Sequence, residues 1–330
     1  MSIATRTVTA DEADLRVDRW FRRHFPSATQ GVIQKLCRTG QIRVDGKRVE
    51  TNLRLAPGMS VRVPPLPAST PVVAERPAPV FDPLLEQEMT KLVLYRDDHV
   101  IVLNKPFGVP SQGGPGITRH LDGMLDGLRY GSEHRPRLVH RLDRDTTGVI
   151  VVARTPGVAA KLASSFRGRD VEKTYWAVVV GRPVQVEGRI DLNLVRVDGY
   201  LGNRAAVAGP YDTDVARAIT DFTTLDHAAR KLAWLEMKPL TGRTHQLRVS
   251  CGAIDAPILG DTPYGKEVEG RNTALVDGLG DKLHLHARQI AFPHPAGGTL
   301  IVEADLPSHM VATFKSMGFT ARPAAAVLRR

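Results

Sequence analysis

The chain has 330 residues, and its 45 Lys and Arg against 35 Asp and Glu give a formal charge of +10. This length exceeds what one hydrophobic core commonly holds, so at least two domains are expected. The positive excess favours a polyanionic partner, because each neutralised phosphate releases counterions, although an anionic membrane would satisfy the charge equally well. The only cysteines, Cys37 and Cys251, are far apart, which excludes a disulfide framework and a zinc ribbon.

The N-terminus carries three acidic residues, Asp11, Glu12 and Asp14, and has no apolar core, so no signal peptide is expected. No stretch approaches the ~18 uninterrupted apolar residues that cross a bilayer. We therefore expect a cytoplasmic protein without a membrane partner.

Residues 15–25 predict a short amphipathic helix with Trp20 and Phe21 on its apolar side. Its other positions hold four arginines that repel one another on a bare surface but suit a phosphate ligand: Arg16, Arg19, Arg22 and Arg23. Thr29 is positioned to cap a second helix that ends at Gly40. Residues 42–49 then predict a hairpin with an Asp45-Gly46 turn, closed by a strand at residues 61–63.

This order of helix, helix and basic hairpin resembles the alpha-L RNA-binding motif, which ribosomal protein S four shares. The resemblance implies that residues 1–63 form a small α/β RNA-binding domain. Its RNA contacts would come from Arg19, Arg22, Arg23, Arg43 and Lys47. A charged helix pair without a ligand is the alternative.

Residues 64–90 contain seven prolines and little apolar periodicity, which predicts an extended, semi-stiff linker. Residues 91–330 then change to strand patterns. We expect strands at 100–103, 149–153, 175–180, 219–225, 232–238, 244–250, 283–291 and 299–304, and a helix that begins at Thr155-Pro156. Several strands follow one another without helices between them, so the pattern predicts an α+β fold with a mixed, mainly antiparallel sheet.

The densest group of ionisable side chains is His140-Arg141-Leu142-Asp143-Arg144-Asp145-Thr146-Thr147-Gly148, which leads directly into a predicted strand. Catalytic groups often lie on such loops. A surface turn with weak Arg–Asp pairs would have the same composition. The residues by themselves do not decide between the two.

The same segment resembles the signature of the RluA-type pseudouridine synthases, which isomerise uridines in ribosomal and transfer RNA. Further blocks follow in the family's order: residues 104–109, 173–177, 242–248 and 283–287. Residues 112–114 and 118–124 resemble its large-subunit ribosomal RNA branch, the RluC group. The resemblance implies the pseudouridine synthase catalytic fold and the large-subunit ribosomal RNA, free or in a pre-ribosomal particle, as substrate. A monomer is expected.

The resemblance also implies roles for individual residues. Asp143 would be the catalytic carboxylate, Tyr175 the active-site tyrosine, and Arg248 the buried arginine that pairs with Asp143 from a strand. Arg141 would enter the RNA when the target uridine flips out. Arg243 and His140 would contact RNA, with Arg243 the second candidate for the ion pair.

The reaction is a rearrangement with no redox step, and the sequence shows neither a nucleotide-binding motif nor a set of metal ligands, so no cofactor or metal is expected. Two alternatives remain. One is a non-catalytic RNA-binding protein on the same scaffold. The other is a glycoside or nucleoside hydrolase that uses Asp143 and Asp145, although Arg141 and Arg144 beside them favour the charged form of both carboxyls. Ser250 and Asp255-Ala256 depart from the family pattern.

Overall fold

A computed structural model describes residues 4–66, 82–114, 116–168, 170–199, 202–229, 231–268 and 271–329. The chain divides into two compact units, residues 1–80 and 81–330. Among the described residues, no helix has the length and apolar character needed to cross a membrane. Most of the predicted proline-rich linker, residues 67–81, lies outside the described residues.

The first unit packs two helices on a small sheet. Trp20, Phe21 and Ile33 are fully buried between them. Thr29 caps the second helix by accepting a hydrogen bond from the Val32 amide, and the Asp45-Gly46 turn has positive φ at both residues, as a two-residue hairpin requires. The sheet order is β1-β4-β2-β3. The elements are β1 (Ala4–Thr7), α1 (Val17–His24), α2 (Gln30–Arg38), β2 (Arg43–Val44), β3 (Lys47–Arg48) and β4 (Ser60–Val63).

In the second unit, twelve of the described strands form one sheet, with the order β11-β10-β12-β13-β9-β16-β8-β6-β5. The strands are β5 (Val93–Arg96), β6 (Val100–Lys105), β7 (Arg137–Leu138), β8 (Thr147–Ala153), β9 (Glu172–Val180), β10 (Glu187–Gly199), β11 (Gly202–Val207), β12 (Ala216–Ala228), β13 (Leu232–Pro239), β16 (Leu285–Pro293), β17 (Thr299–Glu303) and β18 (Ala326–Arg329). Outside this order, β17 pairs with both β16 and β18, and β7 pairs with β8. A separate ribbon joins β14 (Glu267–Val268) and β15 (Arg271–Asn272).

The helices of this unit are α3 (Pro83–Thr90), α4 (Leu121–Met124), α5 (Pro156–Arg167), α6 (Gln246–Ala253) and α7 (Ser308–Met317). Thr155 caps α5 and Pro156 opens it, as the sequence predicts. Among the described strand pairs, only β8 and β16 run parallel. The predicted α+β class with a mainly antiparallel sheet is therefore confirmed.

Two predicted boundaries were wrong. Residues 244–250 form a turn and the start of α6 rather than a strand, since Gln246, Leu247 and Val249 pack a helical face against the sheet. Residues 83–90, assigned to the linker, form α3, which Asp82 caps and whose Met89 is buried in the second unit's core. A proline at the first helical position starts a helix as readily as it stiffens a linker.

The middle strand β16 brings the two sides of the sheet together. Its Ala287 pairs with Gly148 of β8 on one side and with Tyr175 of β9 on the other. Gly148 has a φ of +106°, and a Cβ there would collide with the backbone carbonyl of Ala287. The end of the 140–148 segment therefore needs glycine because two strands approach closely.

We expect Gly148→Ala to lower the free energy of unfolding by at least about 2 kcal/mol, since strain at positive φ and overpacking each cost about 1–3 kcal/mol. The matched control is Gly157→Ala within α5, where a Cβ meets no atom within 4 Å. That change should be neutral or stabilise by up to about 1 kcal/mol. Urea unfolding measures the free energy of unfolding of both variants. Equal effects would contradict the close approach of β8 and β16 at Gly148.

Candidate active site

An open cleft of about 290 Å³ lies where three segments of the second unit meet. The first is the loop between β7 and β8, the second is the start of β9, and the third is the turn from β13 into α6. The cleft contains all six residues that the sequence analysis assigned to this domain's site: His140, Arg141, Asp143, Tyr175, Arg243 and Arg248. The structure therefore brings the separate sequence blocks to one place.

The backbone beside Asp143 is held by two buried side chains. Ser111 donates to the carbonyl of Leu142 at 2.6 Å and accepts from its amide at 3.0 Å. The Lys105 ammonium is fully buried and donates to the carbonyls of Pro106, Val109 and Arg144 at 2.8–3.0 Å. These contacts fix the loop on both sides of the carboxylate.

Burial lowers the pKa of Lys105 to about 8, while Asp145 and Asp143 act in the opposite direction. The ammonium form supplies one proton to each of its three carbonyl partners. Lys105 therefore both contributes positive charge near the cleft and anchors the loop.

The carboxylate of Asp143 faces the cleft with 23% of its side chain exposed. Within the described part of the chain, it accepts no hydrogen bond, and its nearest basic neighbour is His245, whose Nε2 lies 3.8 Å from Oδ2. Tyr175 stands near it on β9, and burial, with the charge of Asp143, raises the pKa of its phenol. The carboxylate is thus free to act on a bound molecule, and the tyrosine stays protonated.

Arg248 differs from its prediction in secondary structure and in partner. It lies on α6, and its guanidinium donates to both oxygens of Asp261, at 2.8 and 2.7 Å, rather than to Asp143. Asp261 is buried and Arg248 is 8% exposed. The predicted direct ion pair with Asp143 was wrong because the helix turns the guanidinium toward Asp261, although the charge of Asp143 still acts on it and helps to raise its pKa.

The other assigned residues divide into exposed cations and one structural histidine. Arg141 and Arg243 are exposed at the cleft, with Arg243 donating to the carbonyl of Arg217. The ring of His140 stacks on Phe166 at 4.5 Å between centroids, and its Nε2 accepts from the Val151 amide at 2.9 Å. Burial lowers the pKa of His140 to about 3, so it is a neutral packing residue rather than a phosphate ligand.

The sequence analysis assigned no role to five residues that build the site: Lys105, Ser111, His245, Asp261 and Tyr264. Lys105 and His245 fall inside recognised blocks, but neither block shows which atoms they contact. Asp261 and Tyr264 follow the tight turn at Gly260, and only the fold brings them to α6. No spacing rule connects an aspartate to an arginine thirteen residues earlier.

The basic residues of the first unit lie in a separate compact body. Arg19 and Arg22 on α1, and Lys47 on β3, are exposed and make no ion pair with a described residue. Arg23 bonds to Asp11 at 2.7 Å, whereas Arg43 donates to the carbonyls of Gly40 and Gly46. Arg19, Arg22 and Lys47 are thus the predicted contacts whose side chains have neither an ion pair nor a hydrogen bond with a described residue.

In the part of the chain that the structure describes, no group of three or more His, Cys, Asp or Glu is arranged to hold a metal ion. The cleft presents one carboxylate, one half-buried phenol, two imidazoles, the ammonium group of Lys173 and a rim of guanidinium groups. This set suits a flat, polar molecule that is attached to phosphates, with the carboxylate as nucleophile or electrostatic partner.

We expect Asp261→Asn to destabilise the protein by about 3–5 kcal/mol, because the change leaves the buried guanidinium of Arg248 without its counter-charge. The matched control is Asp221→Asn, which breaks a bidentate pair with Arg189 of similar geometry on the surface. That pair should contribute about 0–1 kcal/mol. Chemical denaturation gives both values, and equal losses would show that burial of the first pair is unimportant.

The chain is similar in sequence to proteins of a known family. Residues 99–253 match the family model described as RNA pseudouridylate synthase. The ribosomal large subunit pseudouridine synthase C of Rickettsia bellii (strain RML369-C) is 33% identical over 300 residues, which cover 89% of this chain and 95% of the relative. The protein of the same name from Escherichia coli (strain K12) is 32% identical over 317 residues, covering 92% and 93%.

Two solved structures share the fold. Human RNA Pseudouridylate Synthase Domain Containing 4 is 27% identical with a TM-score of 0.60, over 75% of this chain and 98% of that one. Human RNA Pseudouridylate Synthase Domain Containing 1 is 26% identical with a TM-score of 0.54, over 72% and 89%. The relatives match over nearly their whole length, and the chain belongs to the RNA pseudouridylate synthase family.

Proposed function

We propose that this protein isomerises uridines to pseudouridines in large-subunit ribosomal RNA, with Asp143 as the catalytic carboxylate. The observation that carries the proposal is the Asp143 carboxylate, which faces the cleft on a loop held by Ser111 and Lys105 and accepts no hydrogen bond from the described residues. The relatives' name supports the choice of RNA.

The reaction breaks the bond between uracil N1 and the sugar C1′, turns the base, and joins C1′ to C5. Asp143 would act on the sugar or base as nucleophile or as counter-charge to the cationic sugar. The ring of Tyr175 offers a stacking surface for uracil at the cleft. Arg141, exposed at the rim, would occupy the place that the flipped nucleotide leaves in the RNA.

The structure gives a reason to prefer this reaction over hydrolysis by two carboxylates. Asp145, the second carboxylate of the hydrolase alternative, is bound by both arms of Arg144 at 3.0 and 3.1 Å. It is also absent from the residues that line the cleft. Both oxygens of Asp145 are therefore occupied by its neighbour's guanidinium and are not presented to a molecule in the cleft.

We propose that the first unit holds the RNA through phosphate contacts from Arg19, Arg22 and Lys47, as in the alpha-L motif that it resembles. These cations are exposed and make no ion pair with a described residue, so their charge is available to a polyanion. The protein would act as a cytoplasmic monomer on free RNA or on a pre-ribosomal particle.

The experiment for this function maps pseudouridine across ribosomal RNA in a strain that lacks the gene. We expect pseudouridine to be lost at defined large-subunit positions and restored by the wild-type gene. Asp143→Asn should not restore it, and the purified variant should release tritium from carbon-5-labelled uridine at least about 10³-fold more slowly, while it still binds RNA. Asp145→Asn is the matched control and should restore the modification. Free uracil as product would instead establish a hydrolase.

The RNA-binding role of the first unit is tested by the double change Arg19→Ala and Arg22→Ala. The slope of log affinity against log salt should fall by about 0.7–0.9 for each lost phosphate contact. Arg54→Ala is the control, because that guanidinium is already bonded to the Asp14 carboxylate at 2.8 Å. A salt slope unchanged by the double change would contradict a phosphate-binding face on α1.

A further inference from the structure

The imidazole of His245 lines the cleft, and the proposed chemistry gives it no role. His245 precedes α6 with φ 52° and ψ 20°, a left-handed conformation that is strained for a residue other than glycine. The turn is held by Gln246, whose side-chain carbonyl accepts from Thr241 and Arg243 and whose amide donates to β12. This strained turn places the ring of His245 in the cleft, opposite Asp143.

The hydrogen bonds of the ring determine its tautomer. The Tyr264 hydroxyl donates to the carbonyl of Ala205 at 3.1 Å and accepts from its amide at 3.2 Å. With the hydroxyl proton on that carbonyl, His245 Nδ1, at 2.8 Å, donates to the hydroxyl oxygen. The neutral ring then carries its lone pair on Nε2, which lies 3.8 Å from Asp143 Oδ2.

The charged groups around the ring keep this lone pair available. Burial has the largest effect and lowers the pKa of His245, and Arg248 and Arg204 act in the same direction. Asp143 and Asp261 oppose them. The neutral form therefore predominates at neutral pH, as a general base requires.

The other groups of the cleft are less suited to accept a proton. His140 uses its Nε2 to accept from the Val151 amide. Tyr175 has a raised pKa, so its phenolate is rare at neutral pH. The protonated arginines, and the ammonium group of Lys173, which also lines the cleft, have no lone pair to offer. Asp143 has two other tasks in the proposed mechanism, since it acts first on the sugar or base and afterwards stabilises the charged imidazolium.

We infer that His245 Nε2 accepts the proton that leaves uracil C5 after the new carbon–carbon bond has formed, an inference that rests on the proposed function. At that stage C5 carries both the sugar and its original hydrogen, and a double bond joins N1 to C6. The C5–H bond breaks, and its electron pair forms the C5–C6 double bond. The N1–C6 π pair moves to N1, which takes up a proton. One proton leaves and one arrives, so no other reactant is needed.

The position of Asp143 fits this step. Once C1′ is joined to C5, the carboxylate is free again and lies beside the new imidazolium. Opposite charges at this separation in a partly enclosed cleft stabilise the charged ring. The same aspartate would thus assist bond exchange first and proton removal afterwards.

The test variant is His245→Asn, because asparagine tolerates the left-handed backbone and its amide nitrogen can donate to Tyr264 in place of Nδ1. We expect kcat to fall about 10²–10⁴-fold with little change in KM. With deuterium at C5 of the target uridine, the isotope effect on kcat should rise above the wild-type value, because deprotonation becomes the slow step. The wild-type protein should lose activity at acidic pH as His245 becomes protonated, and the variant should not show this loss. An unchanged kcat, or a fall without a larger isotope effect, would overturn the inference.

A second substrate, RNA with 5-fluorouridine at the target site, distinguishes a wrong role for His245 from a wrong proposed function. Fluorine leaves no C5 proton to remove, so His245→Asn should rearrange this RNA at the wild-type rate, which also shows that the variant is folded. Impaired rearrangement of this RNA by a variant with a wild-type melting temperature would assign His245 to an earlier step. Asp143→Asn should be inactive on it. Activity of that variant would refute the proposed function instead.

Discussion

The active-site cleft depends on a buried guanidinium that must be neutralised. Arg248 lies on α6 close to Asp143, yet both its donor arms are bonded to Asp261. Removing a cation from water without a partner is strongly unfavourable, so this pair holds α6 against the segment that follows Gly260. The guanidinium also lies over the ring of Tyr264, whose hydroxyl orients His245. Because Asp261 satisfies the arginine, the carboxylate of Asp143 is left for the substrate.

The second constraint is the order of the strands in the sheet, which determines how close the separate sequence blocks lie in space. Asp143 lies just before β8 and Tyr175 lies on β9, and β16 passes between these strands. Ala287 pairs with a residue of each neighbour, and the close approach to β8 admits only glycine at position 148. Small residues on the central strands thus allow two reactive side chains, 32 positions apart in the chain, to line one cleft.

The described cleft and the unpaired cations of the predicted RNA-binding domain lie in different compact units. The second unit contains the whole described cleft, while the first exposes cations whose charge no described acidic residue neutralises. Contacts between such cations and RNA phosphates would add affinity without selecting a base. Other contacts must then decide which uridine is the target. Within the second unit, Lys105 and Ser111 make the catalytic loop rigid by binding its carbonyl groups, which keeps the carboxylate in place without occupying it.

The sequence by itself determined the family, the α+β class and six of the residues that line the cleft, because the motif blocks and alternating apolar strands are local patterns. It also predicted the caps at Thr29 and Thr155 and the Asp45-Gly46 turn, which depend on neighbouring residues alone. Only the tertiary structure decided that residues 246–253 are helical and that Arg248 pairs with Asp261. It alone decided the positive φ of His245 and the burial of Lys105. Those features arise from contacts between residues distant in sequence, which a local pattern does not contain.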